Sequence, residues 1–203
     1  FEQLDGLDTR LRQRERMFHV RYVGENAIDA GGPYRETMSC MVEELHQPHV
    51  GLFVPCPNAK AGTGLNQDKL VPAPVRGPDR ALRLRMLRFV GKLCGVALRT
   101  EFPVAMNWPS LVWKGLSGHG VGRGDLAAID AIFVNTNDGL VGIDDEKGVT
   151  EEVFATTFAD TTFTTHDSVG ERVELLPGGA NVPVSFRNRH RYVRLPEEGG
   201  LGE

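Results

Sequence analysis

Residues 79–99 constrain the fold more than any other part of this sequence. Their apolar side chains recur every three or four positions, which is the period of one face of an α-helix. Asp79 suits the cap position, because its carboxylate can accept backbone N–H groups that have no partner inside the helix. The predicted buried side carries Leu82, Met86, Leu87, Val90, Leu93, Cys94, Ala97 and Leu98. Gly91 and Gly95 lie four positions apart within this helix, which favours close approach of another backbone at a cost to helix stability of about 1 kcal/mol each relative to alanine.

Shorter helix and strand patterns surround this helix and predict an α+β fold. Residues 2–16 predict an amphipathic helix, and the alternation over residues 18–23 predicts a half-buried strand. Pro33 suits the first turn of the next helix because its missing N–H would have no partner there, and Pro48 would end that helix. Five prolines within residues 55–78 predict an irregular loop.

The second half of the chain predicts further short elements. A short helix over residues 108–114 would turn Leu111, Val112 and Trp113 inward, and a glycine-rich connector follows at residues 115–124. The elements predicted after it are a helix from Asp125, a helix capped by Thr150, a strand over residues 172–176 that returns to the first part of the chain, and a last helix over residues 188–195. The basic side chains of that last helix predict a solvated face.

The composition excludes several classes of protein. The chain has 203 residues, 40% of them hydrophobic, which is enough to bury a core. Its 23 basic and 27 acidic side chains give a net charge of -4, so there is no broad attraction for nucleic acid or for an anionic membrane. We find no apolar run long enough to span a bilayer and no signal-type start. We therefore expect neither nucleic acid nor membrane as a partner.

The three cysteines indicate a reducing compartment. Cys40, Cys56 and Cys94 are too few and too scattered for a disulfide framework, so we expect an intracellular protein, cytoplasmic or nuclear. Cys40 and Cys94 fall on apolar helix faces and are predicted to be buried, inert thiols. Cys56 lies between two prolines and is predicted to be exposed and open to oxidation.

Other motifs do not predict a cofactor or a metal. A possible zinc set lacks the close cysteine pair that is usual for such sites; it consists of Cys40, His46, His49 and Cys56. The glycines meet neither the P-loop nor the dinucleotide pattern, and no serine lies in a nucleophile elbow. We expect no cofactor and no metal.

Two glycine-bearing segments, residues 24–36 and 177–184, lie near the ends of the chain. Their glycine pairs are predicted to be structural, since glycine adopts the positive φ of sharp turns. The motifs between and after them are Arg35-Glu36, residues 88–97, residues 111–114, Asp125-Leu126, Ile129-Asp130, Asn188 and Tyr192. In this order the chain resembles, over about residues 14–195, the N-terminal lobe of HECT-type E3 ubiquitin ligases of the large subtype.

The resemblance implies a mostly helical α+β lobe made of two subdomains. Residues 14–118 and 176–195 would form the large one, residues 119–175 a small E2-binding one, and residues 196–203 an irregular tail. In the family the small subdomain presents an apolar groove to an E2 enzyme. The candidate groove residues are Phe133, Leu140, Phe154, Phe158 and Phe163. Aromatic anchors often dominate interfaces, but the same side chains could instead form the subdomain's own core.

The resemblance also implies the chemistry. Ubiquitin would pass from an E2 thioester to a cysteine in a second lobe and then to a substrate lysine, because a thiolate is a good nucleophile. None of the three cysteines occupies the family's catalytic position, so we predict no catalytic residue and no activity for this chain alone. Residues 196–203 turn to proline and glycine where family members continue through a long helix, so either this tail is an artefact or the protein ends without a transfer lobe. Because the first residue is Phe1 rather than Met, we expect a piece of a longer protein.

The partners implied are a ubiquitin-conjugating E2 enzyme, ubiquitin, and protein substrates that bind through regions outside this chain. Two alternatives stay open. The chain could be a non-catalytic module that holds an E2 or another partner, or an inactive remnant that binds nothing.

Overall fold

The computed structural model describes residue 4 and residues 16–21, 31–143 and 149–199. Its helices, in chain order, are α1 (Gly32–Leu45), α2 (Pro57–Ala61), α3 (Arg80–Arg99), α4 (Ser110–Leu116), α5 (Arg123–Ala127), α6 (Ala131–Val141), α7 (Glu151–Thr157) and α8 (Arg189–Gly199). The strands are β1 (Phe53–Pro55), β2 (Leu70–Pro72), β3 (Thr164–His166) and β4 (Arg172–Glu174), and short 3₁₀ turns occur at Pro48–Val50 and Gly179–Asn181. The predicted α+β class is confirmed.

The chain divides into two compact units. The first unit comprises Phe1–Val54 and Pro72–Asn107, and the second comprises Pro55–Val71 and Trp108–Glu203. The chain passes from one unit to the other three times, within β1, within β2 and between Asn107 and Trp108. Residues 176–195 group with the second unit rather than with the first part of the chain. The predicted E2-binding subdomain over residues 119–175 stays a prediction, because a division into compact units does not test binding.

In the first unit, α1 begins where the glycine turn and Pro33 predict. Gly31 precedes the helix with a φ of 113°, a left-handed conformation that favours glycine, and Pro33 lies in the first turn. The helix ends before Pro48, as predicted, and one face is buried through Tyr34, Met38, Val42 and Leu45. This spacing of three or four residues places all four side chains in the core of the unit.

Two elements were predicted before α1, and the structure describes only part of them. The helix over residues 2–16 falls mostly outside the described residues, as does the end of the strand over residues 18–23. Residues 16–21 are described and are not in a strand. Just before the predicted strand, the Met17 N–H donates to the Tyr34 hydroxyl at 3.5 Å.

The long helix α3 is confirmed within one residue of its predicted start. Asp79 occupies the cap position, although its side chain makes no capping hydrogen bond. The buried residues are Phe89, Val90, Leu93, Val96 and Ala97.

The prediction of the buried face of α3 is wrong at two positions, Leu82 and Leu98. Leu98 is 81% exposed, because at 3.6 residues per turn it lies about 140° around the helix from Leu93. Leu82 lies on the buried side, but in the first turn, where it is 44% exposed. At Gly91 an added Cβ would meet no atom of the described residues within 4 Å, so the expected backbone approach is not found there.

The second unit contains more regular structure than predicted. The expected irregular loop over residues 55–78 includes α2 and β2. The predicted helix from Asp125 is two helices, α5 and α6, because Asp130 starts a new one by accepting the Phe133 N–H at 3.0 Å. The prediction for Trp113 is also wrong: its side chain is 43% exposed, while Trp108, 5.0 Å away between ring centroids, is buried.

The end of the second unit corrects two expectations. The predicted strand over residues 172–176 exists as β4, but it pairs antiparallel with β3 of the same unit, with Thr165 opposite Val173. The last helix is confirmed as α8, yet it continues through Pro196 to Gly199 rather than ending at the proline.

Candidate functional site

Three of the five predicted groove residues lie in the core of the second unit. Leu140, Phe154 and Phe163 are 6%, 0% and 1% exposed and form one cluster with Val184 and Val193. Phe158 is partly buried and packs against this cluster. Phe133 is partly buried, near the start of α6. We call the set of Leu140, Phe154, Phe163, Val184 and Val193 the unit's core cluster.

Aromatic rings hold this core cluster together. The Phe154 ring lies 4.5 Å from Phe158 and meets Phe186 edge-on at 5.8 Å between centroids. Phe163 meets Tyr192 edge-on at 5.6 Å. Such edge-on and tilted pairs are the geometries that aromatic side chains prefer in protein interiors. In this conformation the buried side chains offer almost no surface to a partner, so their part in binding stays a prediction.

Side-chain caps position the two helices that carry the predicted residues. Asp130 caps α6 through the Phe133 N–H, and Thr150 caps α7, its hydroxyl accepting the Val153 N–H at 3.3 Å. Each cap satisfies a backbone donor that has no partner within its own helix. The cap at Thr150 was predicted from the sequence and is confirmed.

Asn58 fixes the start of α6 from a distant part of the chain. Its side chain is 1% exposed, and its Oδ1 accepts the Ala131 N–H at 2.7 Å. Its Nδ2 lies 3.0 Å from the Leu65 carbonyl oxygen and 3.1 Å from that of Ala128. Asn58 thereby joins the loop after α2 to the turn between α5 and α6.

Arg189 joins the end of α6 to the start of α8. Its Nη2 donates to the Ile143 carbonyl oxygen at 3.0 Å, its Nη1 donates to the Phe186 carbonyl, and its guanidinium lies 3.9 Å from the centroid of the Phe186 ring. The prediction of a solvated basic face is therefore wrong for Arg189, although His190 and Arg191 are exposed.

The second glycine turn supports Phe163. Gly178 has a φ of 74°, and a Cβ added at Gly179 would lie 2.4 Å from the Phe163 carbonyl oxygen. The Phe163 N–H donates to the Gly179 carbonyl at 3.1 Å. The expected structural role of this motif is thus observed: the glycines let the turn approach the core cluster closely.

The helices α6 and α7 also carry exposed apolar side chains. Ile132 is 54% exposed and Val153 is 48% exposed, each in the first turn of its helix. Because these side chains are accessible, they are better placed than the core cluster to contact a partner.

Comparison with known proteins decides the family. A family model described as HECT-domain (ubiquitin-transferase) matches residues 39–198. The chain belongs to the HECT-domain family. The resemblance noted in the sequence is thereby confirmed.

Curated relatives of this HECT-domain chain are ubiquitin ligases. It is 33% identical over 181 residues to the human E3 ubiquitin-protein ligase HERC2, covering 89% of this chain and 4% of that protein. It is 28% identical over 186 residues to the E3 ubiquitin-protein ligase TOM1-like of Neurospora crassa, covering 90% of this chain and 4% of that protein. It is 26% identical over 179 residues to the E3 ubiquitin-protein ligase TOM1 of Saccharomyces cerevisiae, covering 86% of this chain and 5% of that protein. The chain spans about one twentieth of the length of these relatives.

Two of the three cysteines of this HECT-domain chain, Cys40 and Cys56, are placed opposite to the prediction. Cys40 is exposed, because it lies away from the buried face of α1, whereas Cys56 is buried. Burial raises the pKa of the Cys56 thiol, and burial likewise raises the pKa of the partly buried Cys94. A raised pKa leaves less thiolate at neutral pH, so neither thiol is set up as a nucleophile.

The described residues bring no metal ligands together: they contain no group of three or more histidine, cysteine or acidic side chains placed to hold an ion. Within the same ranges, no helix combines the length and the apolar character needed to cross a bilayer.

Proposed function

We propose that this HECT-domain chain serves in a ubiquitin ligase by recruiting a ubiquitin-charged E2 enzyme through its second unit. The observation that carries the proposal is the family match over residues 39–198. In the proposed reaction the E2 thioester passes ubiquitin to a cysteine outside this chain, and that cysteine passes it to a substrate lysine. Substrates bind elsewhere in the longer protein. Three free cysteines support an intracellular, cytoplasmic or nuclear location.

The state of the thiols supports a nucleophile outside this chain. Transfer between thioesters requires a thiolate that can reach the E2 thioester. Cys56 is buried and has a raised pKa, and Cys94 is partly buried with a raised pKa. Cys40 is exposed on α1, which belongs to the first unit, whereas the proposed docking helices α6 and α7 belong to the second unit.

We propose that the E2 contacts side chains of α6 and α7. Exposed Ile132 and Val153, with partly buried Phe133 and Phe158, would make the contacts, since a few apolar anchors carry most of the energy of an interface. The predicted groove residues Leu140, Phe154 and Phe163 would then contribute indirectly, because their packing in the core holds the two helices in place.

Binding of this chain to a panel of ubiquitin-charged E2 enzymes tests the proposal. We expect saturable binding to at least one E2, and about tenfold weaker binding for Ile132→Ser and for Val153→Ser, which corresponds to about 1.4 kcal/mol. The matched control is Leu98→Ser, which changes an apolar side chain that is 81% exposed on α3 of the first unit. Binding by no E2 would overturn the proposal. Equal loss in all three variants would show that the contact does not lie on α6 and α7.

A further inference from the structure

We draw no further inference here: the strongest candidate, the cavity of about 360 Å³ in the first unit beside the first turn of α1, is lined by Arg16 and Arg35 and would suit an anion, but it rests on two arginines and a helix N-terminus, and nothing in the described residues points to a ligand there.

Discussion

At the residue scale, the buried side chain of Asn58 links two segments of the second unit, although it lies in a proline-rich stretch that predicts an irregular loop. We expect Asn58→Ala to lower the free energy of unfolding by about 2–3 kcal/mol, because the Ala131 N–H and the Leu65 carbonyl oxygen lose the partner that this buried side chain gives them. Urea denaturation followed by circular dichroism measures the change.

Asn66→Gly is the control for Asn58, because Asn66 has a φ of 56°, a left-handed conformation that glycine tolerates and alanine does not. It removes one hydrogen bond, from Nδ2 to the Ala128 carbonyl at 3.0 Å, and Asn66 is only partly buried. We expect a loss of about 1 kcal/mol or less. Equal losses for the two variants would contradict the central role of Asn58.

Gly179 lies so close to the Phe163 backbone that a side chain would not fit without a shift. Gly179→Ala would place a Cβ 2.4 Å from the Phe163 carbonyl oxygen, so the turn must move, at a cost of about 1–3 kcal/mol. Thermal or urea unfolding measures the loss. Gly139→Ala is the control: Gly139 lies inside α6 with nothing within 4 Å of the added Cβ, and the substitution should stabilise by about 0.5–1 kcal/mol. A stabilised Gly179→Ala variant would show that the turn relaxes freely.

The sequence predicts residues well where the cause is local. Pro33 at the start of α1 and Thr150 at the start of α7 act through their own helices, and both predictions hold. Asn58 was missed because Ala131, the residue whose N–H it accepts, lies 73 positions along the chain. Cys40 and Cys56 were predicted the wrong way round, because burial depends on which helix face meets the rest of the unit.

At the element scale, α7 depends on its cap. The helix runs only over Glu151–Thr157, and short helices gain little from their internal hydrogen bonds. We expect Thr150→Ala to lower the free energy of unfolding by about 1 kcal/mol, since the Val153 N–H loses its acceptor, and Thr150→Ser to restore most of it. Urea denaturation of the three proteins tests this.

Thr156→Ala is the control for Thr150→Ala: it replaces a threonine of the same helix that does not cap it. The Thr156 hydroxyl donates to the Glu152 carbonyl oxygen within the same helix, and the side chain is exposed. Alanine is the better helix former, so we expect no loss or a gain of a few tenths of a kcal/mol. A loss as large as that of Thr150→Ala would argue against the cap.

Element types were predicted better than their partners. The helices α1, α3, α7 and α8 and the strand β4 all follow from local patterns. The partner of β4 did not follow, because several strands could in principle pair with it and only the folded unit selects β3. The candidate site shows the same limit. Helical spacing places Leu140 and Phe154 on apolar faces, but it cannot distinguish a face that is open to a partner from one that is covered by other core residues, such as Val193 of α8.

At the scale of the whole molecule, the proposed function separates two roles, recruitment of the E2 and transfer of ubiquitin. The HECT match extends over segments of both compact units, and two of the three thiols, Cys56 and Cys94, are buried or partly buried and have raised pKa values. Under that proposal, recruitment and transfer belong to different parts of a longer protein. This division is a property that the isolated chain can test.

We expect a charged E2 mixed with this chain to form no chain–ubiquitin adduct that a thiol reductant cleaves. The reason is that Cys56 is buried, Cys94 is partly buried, and the pKa of each thiol is raised. Non-reducing gels measure the adduct, and discharge of the same E2 to free cysteine confirms that its thioester is reactive. Cys40→Ser is the decisive variant, because Cys40 is the exposed thiol. A cleavable adduct on the original chain that disappears in Cys40→Ser would place an acceptor cysteine in the first unit, and the proposal of a nucleophile outside this chain would fail.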